Sequence, residues 1–439
     1  MTEPPSPPDA ATRHRAATDL ETSFLVEAPA GSGKTTLLVQ RILAWVRSGK
    51  ARLPEIVAIT FTEKAAADLR LRIREALERA RSLAPTGEHP AFAQALTDLD
   101  LAPIRTIHAF CADLIRQRPV EAGVDPGFVV ADPLEQALLL EETWERWLER
   151  AAADAPGALE DAVSLGVTID TLRDLGRRLV AERDLLAGLP EAVPEDTASV
   201  NRDVRDGLPA LLDAVPPRAR RGADALVRML EEVCAWVRQT DVLPEADQVT
   251  ALLTELRIPS VTRLGNQTAW GREPVVRARA RLQELAERVA AARARRFHNL
   301  AATLASWLTG FVEAYRARLR RLGLLDFHDL LAVTRDLLEG RPDVRRDFQR
   351  RYRTILVDEF QDTDPLQLEI AFLLAEDPAD PSAATWEVTR LGPGRLFLVG
   401  DPKQSIYRFR RADIELYERA RELIAAQGVV LSLETNFRS

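Results

Sequence analysis

Five short apolar runs, two early in the chain and three late, constrain this sequence more than any other feature. They are Phe24–Glu27, Ile56–Thr60, Thr354–Asp358, Leu396–Gly400 and Val429–Leu433. None alternates apolar with polar residues, and runs of this length without alternation suit strands covered on both faces in a parallel sheet. The long stretch between the second and third runs differs. It is rich in Arg, Ala, Leu and Glu, with helix-period segments such as Leu134–Arg150, Val275–Arg296 and Ala302–Arg321. Pro and Gly residues, among them Pro119, Gly123, Pro190, Pro216 and Pro259, cut it into separate helices. The pattern predicts an α/β fold: a parallel sheet flanked by helices, interrupted by a large all-helical insertion domain. The expected layout is a flexible tail over 1–9, core halves over 10–121 and 322–431, and the insertion over 122–321.

A chain of 439 residues has room for two to four domains, and 46% hydrophobic with 29% charged residues fits folded globular protein. No apolar run approaches the roughly 18 residues of a membrane helix. Residues Met1–Asp9 are Pro-rich and acidic, without the basic start and apolar core of a secretory signal. A cytoplasmic, nucleoid-associated location without a membrane partner is expected. Two cysteines, Cys111 and Cys234, cannot build a disulfide framework, a four-cysteine zinc site or an iron–sulfur cluster. The net charge of −8 excludes a uniformly basic nucleic-acid coat but leaves room for a local basic groove. Only four of the 59 basic residues are lysines, and Lys34, Lys64 and Lys403 all fall within the motifs below.

Ala28-Pro29-Ala30-Gly31-Ser32-Gly33-Lys34-Thr35 lies between an apolar run and the helical run Thr36–Val46. Small residues between a strand and a helix turn backbone N–H groups around a phosphate at the positive end of the helix. Lys34 is then expected at the β- and γ-phosphates of ATP and Thr35 at Mg²⁺, with Thr36 opening the helix. The run Thr354–Val357 ends in Asp358 and Glu359, which fit a Mg²⁺ ligand acting through water and a base that orients the attacking water. Alone, such a pair is a solvated strand end; the phosphate loop in the same chain changes the balance. In Leu398–Arg410, a Gly-Asp-Pro turn leads to Gln404, suited to sense a γ-phosphate. Tyr407 and Phe409 follow, interleaved with arginines and able to stack on bases. Their alternative is a place in the core.

These blocks, together with Ile59-Thr-Phe-Thr-Glu-Lys-Ala-Ala66, Thr106-Ile-His-Ala-Phe110, Asp358-Glu-Phe-Gln-Asp-Thr363 and Glu434-Thr-Asn-Phe-Arg-Ser439, occur in the order of superfamily 1 DNA helicases. The chain resembles the UvrD/Rep type, and within it the helicase-nuclease subunits of the AddA/RecB kind that act in double-strand break repair. The likeness covers residues 10–130 and 320–439 well and the helical stretch only by position. It implies a RecA-like P-loop ATPase core and ATP hydrolysis coupled to translocation on single-stranded DNA. It also implies duplex DNA as a partner and a second subunit of a helicase-nuclease complex. By the same likeness Lys34, Asp358, Glu359, Gln404 and Arg438 serve catalysis, with Arg438 on the γ-phosphate. Phe61, Thr62, Lys64, Thr106, His108, Tyr407, Phe409 and Arg410 line the single-strand path. For His108 a satisfied structural role is the alternative.

Three departures stand out. The spacing of the family's adenine-reading glutamine falls on Arg13, with His14 an equal match in register, and Arg411 stands where related helicases have Gly. Residues 432–439 read as the start of a second RecA-like domain, and no Asp-Tyr-Lys nuclease signature is present. The expectation is that these 439 residues alone bind nucleotide weakly, hydrolyse it poorly and do not unwind duplex. The alternatives are a stand-alone UvrD-like repair helicase and a truncated module that binds DNA or a partner without moving. Eleven arginines between Arg277 and Arg321 read first as solvated helix faces, and second as a duplex contact.

Overall fold

The computed structural model describes residues 7–83, 85, 88–154, 156–221, 224–380, 385–404 and 414–437. Its strands are β1 (Phe24–Glu27), β2 (Ile56–Thr60), β3 (Ile104–Thr106), β4 (Val129–Val130), β5 (Leu324–Leu325), β6 (Thr354–Val357), β7 (Leu396–Gly400) and β8 (Val429–Ser432). Among the described residues six of them form one sheet in the order β3-β2-β6-β7-β1-β8, every pair parallel. All five apolar runs are strands of this sheet. The sixth strand, β3, escapes a reading by pattern, because three residues beside Pro103 are too short to show a period.

Both faces of the sheet are covered, which explains the missing alternation. One face sends Leu25, Val57, Ile59, Ile355, Val357, Leu396 and Leu398 into a core shared with helices Ile107–Gln117, Phe327–Gly340 and Pro365–Ala375. The other sends Phe24, Val26, Ile56, Ala58, Leu356, Phe397 and Val399 towards helices Ala10–Thr18, Lys34–Arg47 and Glu63–Leu83. Neighbouring residues of one strand point to opposite faces, so apolar side chains at every position are what two buried faces require.

Strand order fixes where a ligand can enter. The chain leaves β1 and travels across β7 and β6 to β2, whereas it leaves β7 and travels across β1 to β8. Connections from adjacent strands that depart in opposite directions open a crevice beyond their carboxyl ends. Here that crevice lies past Glu27 and Gly400, which are paired in register.

The chain divides into two compact units. The first joins residues up to Asp132 with those from Leu319 onward, and the second spans Pro133–Arg318. Residues 122–132, expected in the insertion, group with the sheet, because Val129 and Val130 pair with Leu324 and Leu325. In the second unit the described elements are helical, with a core around Val204, Leu208, Leu230, Leu252 and Leu285. Trp144, Trp147, Trp307 and Phe311 form a separate aromatic cluster, with ring centroids 4.6–5.6 Å apart. No helix among the described residues is long and apolar enough to cross a membrane.

Candidate nucleotide and nucleic-acid site

The segment 28–33 leaves β1 and turns into helix Lys34–Arg47. Gly31 and Gly33 have φ of 78° and 83°, in the left-handed region that disfavours a Cβ. Gly33 is the N-cap and provides no side-chain cap, and the first turn carries no acidic residue. The first N–H groups of a helix have no partner one turn back, so this end is a seat for an anion. Ser32 is buried, and its hydroxyl has no hydrogen-bond partner among the described residues. An orphaned buried donor beside an uncapped helix end fits a phosphate.

Lys34 meets the end of β6. Its Nζ donates to Glu359 Oε2 at 2.6 Å, joining residues 325 positions apart, with the lysine side chain 11% exposed and the glutamate 39%. Asp358 extends the ladder by donating its N–H to the Ile59 carbonyl at 2.9 Å. Burial, and then the neighbouring Glu359 carboxylate, raises the Asp358 pKa to about 6 against a smaller opposing effect of Lys34. A desolvated carboxylate with one nearby ammonium is suited to a cation. Thr35 on the next helical position supplies a hydroxyl, and one or two protein oxygens are what Mg²⁺ takes when phosphates and waters complete its shell. Among the described residues no group of three or more His, Cys, Asp or Glu side chains is arranged to hold a metal by itself.

Glu359 has φ 53°, alone among the described non-glycine residues in being positive. A glutamate in the left-handed region costs of order 1–3 kcal/mol, held by its surroundings. The surroundings are a relay that sequence reasoning missed. Gln361 Nε2 donates to Glu359 Oε2 at 2.9 Å, while Gln361 Oε1 accepts the Asp401 N–H at 2.8 Å. Asp401 in turn accepts from Gln404 Nε2 at 2.5 Å. Gln404 thus joins Lys34 through three side chains rather than directly. Gln361 stands inside one of the motifs quoted above, but nothing in its spacing assigns it this place.

The nucleic-acid candidates gather at the carboxyl ends of β2 and β3. Thr62 Oγ1 accepts the Ala65 N–H at 3.1 Å, capping helix Glu63–Leu83. Thr106 caps helix Ile107–Gln117 through the Ala109 N–H and donates its hydroxyl to Glu63 Oε1 at 2.7 Å. Both threonines are therefore structural caps, whatever else they bind. Replacing Thr62 by Ala is expected to cost about 1 kcal/mol, with Thr62→Ser restoring it, measured by urea unfolding. Lys64 is exposed on the first turn. Phe61 and His108 line a cavity of about 230 Å³ together with Asp358, Glu359 and Asp362, and the His108 ring packs edge-on against Phe327 at 5.2 Å. Tyr407, Phe409, Arg410, Arg411 and Arg438 lie outside the described residues.

Arg13 turns away from a freely accessible position. It donates to Asp9 twice at 2.8 Å, to the Ser32 carbonyl at 2.5 Å and to the Thr435 carbonyl at 3.3 Å. Asp9, placed in a flexible tail on sequence grounds, is 7% exposed for this reason. Of the arginines in the helical unit, Arg279 and Arg293 donate to backbone carbonyls. Arg281, Arg288, Arg296, Arg316 and Arg318 each pair with a carboxylate of the same unit. These seven are committed to the fold, which favours the solvated or structural reading over a duplex contact.

A parallel sheet flanked by helices, with an ammonium and two carboxylates meeting beyond its carboxyl edge, defines a class of α/β proteins that handle charged ligands. Residues 10–425 match the family described as UvrD/REP helicase N-terminal domain, and the chain belongs to that family. Its relatives include the AddA chain of the ATP-dependent helicase/nuclease of Levilactobacillus brevis, 31% identical over 95% of this chain and 36% of that protein. The proteins of the same name from Moorella thermoacetica and Listeria welshimeri are 33% and 28% identical, again over 95% of this chain and over 33% and 37% of theirs. The chain spans about a third of the length of these curated relatives.

Proposed function

We propose that this chain is the N-terminal motor portion of an ATP-dependent DNA helicase, the helicase-nuclease subunit of a double-strand break repair complex, working in the cytoplasm at the nucleoid. In this reading the sheet is a RecA-like P-loop core and the helical unit an insertion domain. Residues 28–35 cradle the phosphates of ATP through backbone N–H groups and Lys34. Thr35 and Asp358 hold Mg²⁺, whose charge, when bound, draws electron density from the phosphates. Glu359 accepts a proton from the attacking water once the nucleotide takes over Lys34. Gln404, at the far end of the Gln361–Asp401 relay, carries the state of the site towards the DNA, and Arg438 meets the γ-phosphate. Phe61, Thr62, Lys64, Thr106 and His108, with Tyr407, Phe409 and Arg410, make the single-strand path. The further partners are duplex DNA and a second protein of the helicase-nuclease complex. The observation that carries the reading is the Lys34–Glu359 contact at 2.6 Å between distant segments.

The test is a titration of fluorescent oligodeoxythymidylate at several salt concentrations, with and without a Mg²⁺–ATP analogue. Salt-sensitive binding whose affinity shifts with nucleotide is expected. Lys64→Ala should reduce the magnitude of the log–log salt slope by about 0.7, the loss of one phosphate contact. Affinity indifferent to nucleotide would instead favour a passive binding module.

A further inference from the structure

Asp9 and Arg13 form a clasp that ties together three segments remote in sequence. Asp9 accepts both Arg13 bonds, the Glu434 and Thr435 N–H groups at 3.0 and 3.1 Å, and the Thr435 hydroxyl at 2.9 Å. Arg13 then reaches the phosphate-loop carbonyl of Ser32 and the carbonyl of Thr435. Its guanidinium lies over the Phe437 ring, 5.0 Å from the centroid. Phe437 completes the knot by donating its N–H to the Gly31 carbonyl at 2.9 Å. Gly33, the helix N-cap, lies against both side chains: a Cβ there would stand 3.6 Å from Arg13 and 3.7 Å from Phe437.

We infer that Asp9 and Arg13 are positioning residues that hold the phosphate loop and the segment 434–437 as one hydrogen-bonded unit, so that nucleotide binding and the seating of 434–437 are coupled. This rests on the nucleotide site proposed above. The chemistry excludes the base-reading role suggested by the position of Arg13. A guanidinium has five N–H donors and no acceptor, and four of its bonds here go to protein oxygens. Reading adenine needs a donor and an acceptor side by side. Arg13 therefore acts on the nucleotide through the Ser32 carbonyl, next to the loop N–H groups that face the phosphates, and the effect is the same for any base. Coupling of this kind is reciprocal: a ligand that orders the loop protects 434–437, and freeing 434–437 weakens the ligand.

The experiment uses the full 439-residue chain with Mg²⁺–ATP and Mg²⁺–GTP. Amide hydrogen exchange of residues 434–437 should slow on adding either nucleotide to the wild type. Arg13→Ala should weaken both nucleotides about tenfold, leave their ratio unchanged and abolish the nucleotide-dependent protection. Thr435→Val, which removes one hydroxyl bond and leaves the helix and loop intact, should lose part of that protection with an unchanged Tm. Arg13→Ala with unaltered affinity and exchange overturns the clasp, as does a changed ATP:GTP ratio, which would restore base reading. Nucleotide binding that fails already in the wild type sinks the site itself, and is thereby told apart from failure of the clasp alone.

Discussion

Lys34→Ala should abolish the thermal stabilisation that Mg²⁺–ATP gives the wild-type chain, with affinity falling at least about 100-fold, or about 3 kcal/mol. Lys34 joins the helix that follows loop 28–33 to the carboxylate of Glu359, so its loss leaves the two halves of the site without their cationic link. Charge-assisted hydrogen bonds to a phosphate are each worth roughly 1.5–3 kcal/mol, and an ammonium close to two phosphate groups makes more than one. Without Lys34 the carboxylates of Glu359 and Asp358 also face the incoming triphosphate unneutralised, which adds repulsion to the lost attraction. Differential scanning fluorimetry with increasing Mg²⁺–ATP checks this directly. A variant that retains the wild-type shift would separate Lys34 from the nucleotide. Lys34→Arg should not rescue, since a planar fork on a longer side chain does not occupy the place of a compact ammonium.

Asp358→Asn is expected to act in opposite directions on the free and the ligand-bound protein. The carboxyl titrates near 6 in the folded chain against 3.8 for an unperturbed aspartate. The folded state thus binds more protons than the unfolded state between those values, and stability contributed by this group falls as pH rises from about 4 to about 6. Above that window the ionised carboxylate costs up to about 3 kcal/mol, from a shift of roughly two pH units. The amide carries no such cost. At pH 8 without ligand, Asp358→Asn should therefore be the more stable protein, while at pH 4 the two should converge. With Mg²⁺–ATP the order reverses, because the amide is a poor partner for the cation. Urea melts at pH 4 and pH 8, with and without Mg²⁺–ATP, give all four values. A wild type that gains stability relative to the Asn variant as pH rises would contradict the assignment.

The parts of the fold visible in the sequence are those governed by local chemistry. Phe24–Glu27 and Leu396–Gly400 announce themselves because both faces of those strands are buried, leaving no polar position to interrupt the run. The phosphate loop is legible because Gly31 and Gly33 stand where positive φ is needed. What stays hidden depends on partners brought in from afar. Asp9 reads as part of a flexible tail, since nothing nearby in sequence shows that Glu434 and Thr435 will donate to it. Gln361 has no assigned task until Gly400 and Asp401 come alongside, and a Cβ at Gly400 would sit 2.8 Å from its Oε1. Thr62 and Thr106 read as contacts for a strand of DNA, yet their first employment is capping helices. The strained Glu359 backbone carries no sequence signature, because residue type alone argues against it.

The place of β1 between β7 and β8 has a consequence for biogenesis. Phe24–Glu27 leaves the ribosome long before its two neighbours in the sheet, which are made only when Leu396–Gly400 and Val429–Ser432 are reached. Until then the apolar edges of β1 and β2 lack those partners, whereas the helical unit over Pro133–Arg318 is continuous and can bury its own core during synthesis. Long-range parallel pairing is slow and exposes aggregation-prone edges while it waits. The nascent α/β half should accordingly be the client of chaperones, and slowed translation through the helical stretch should lengthen that dependence.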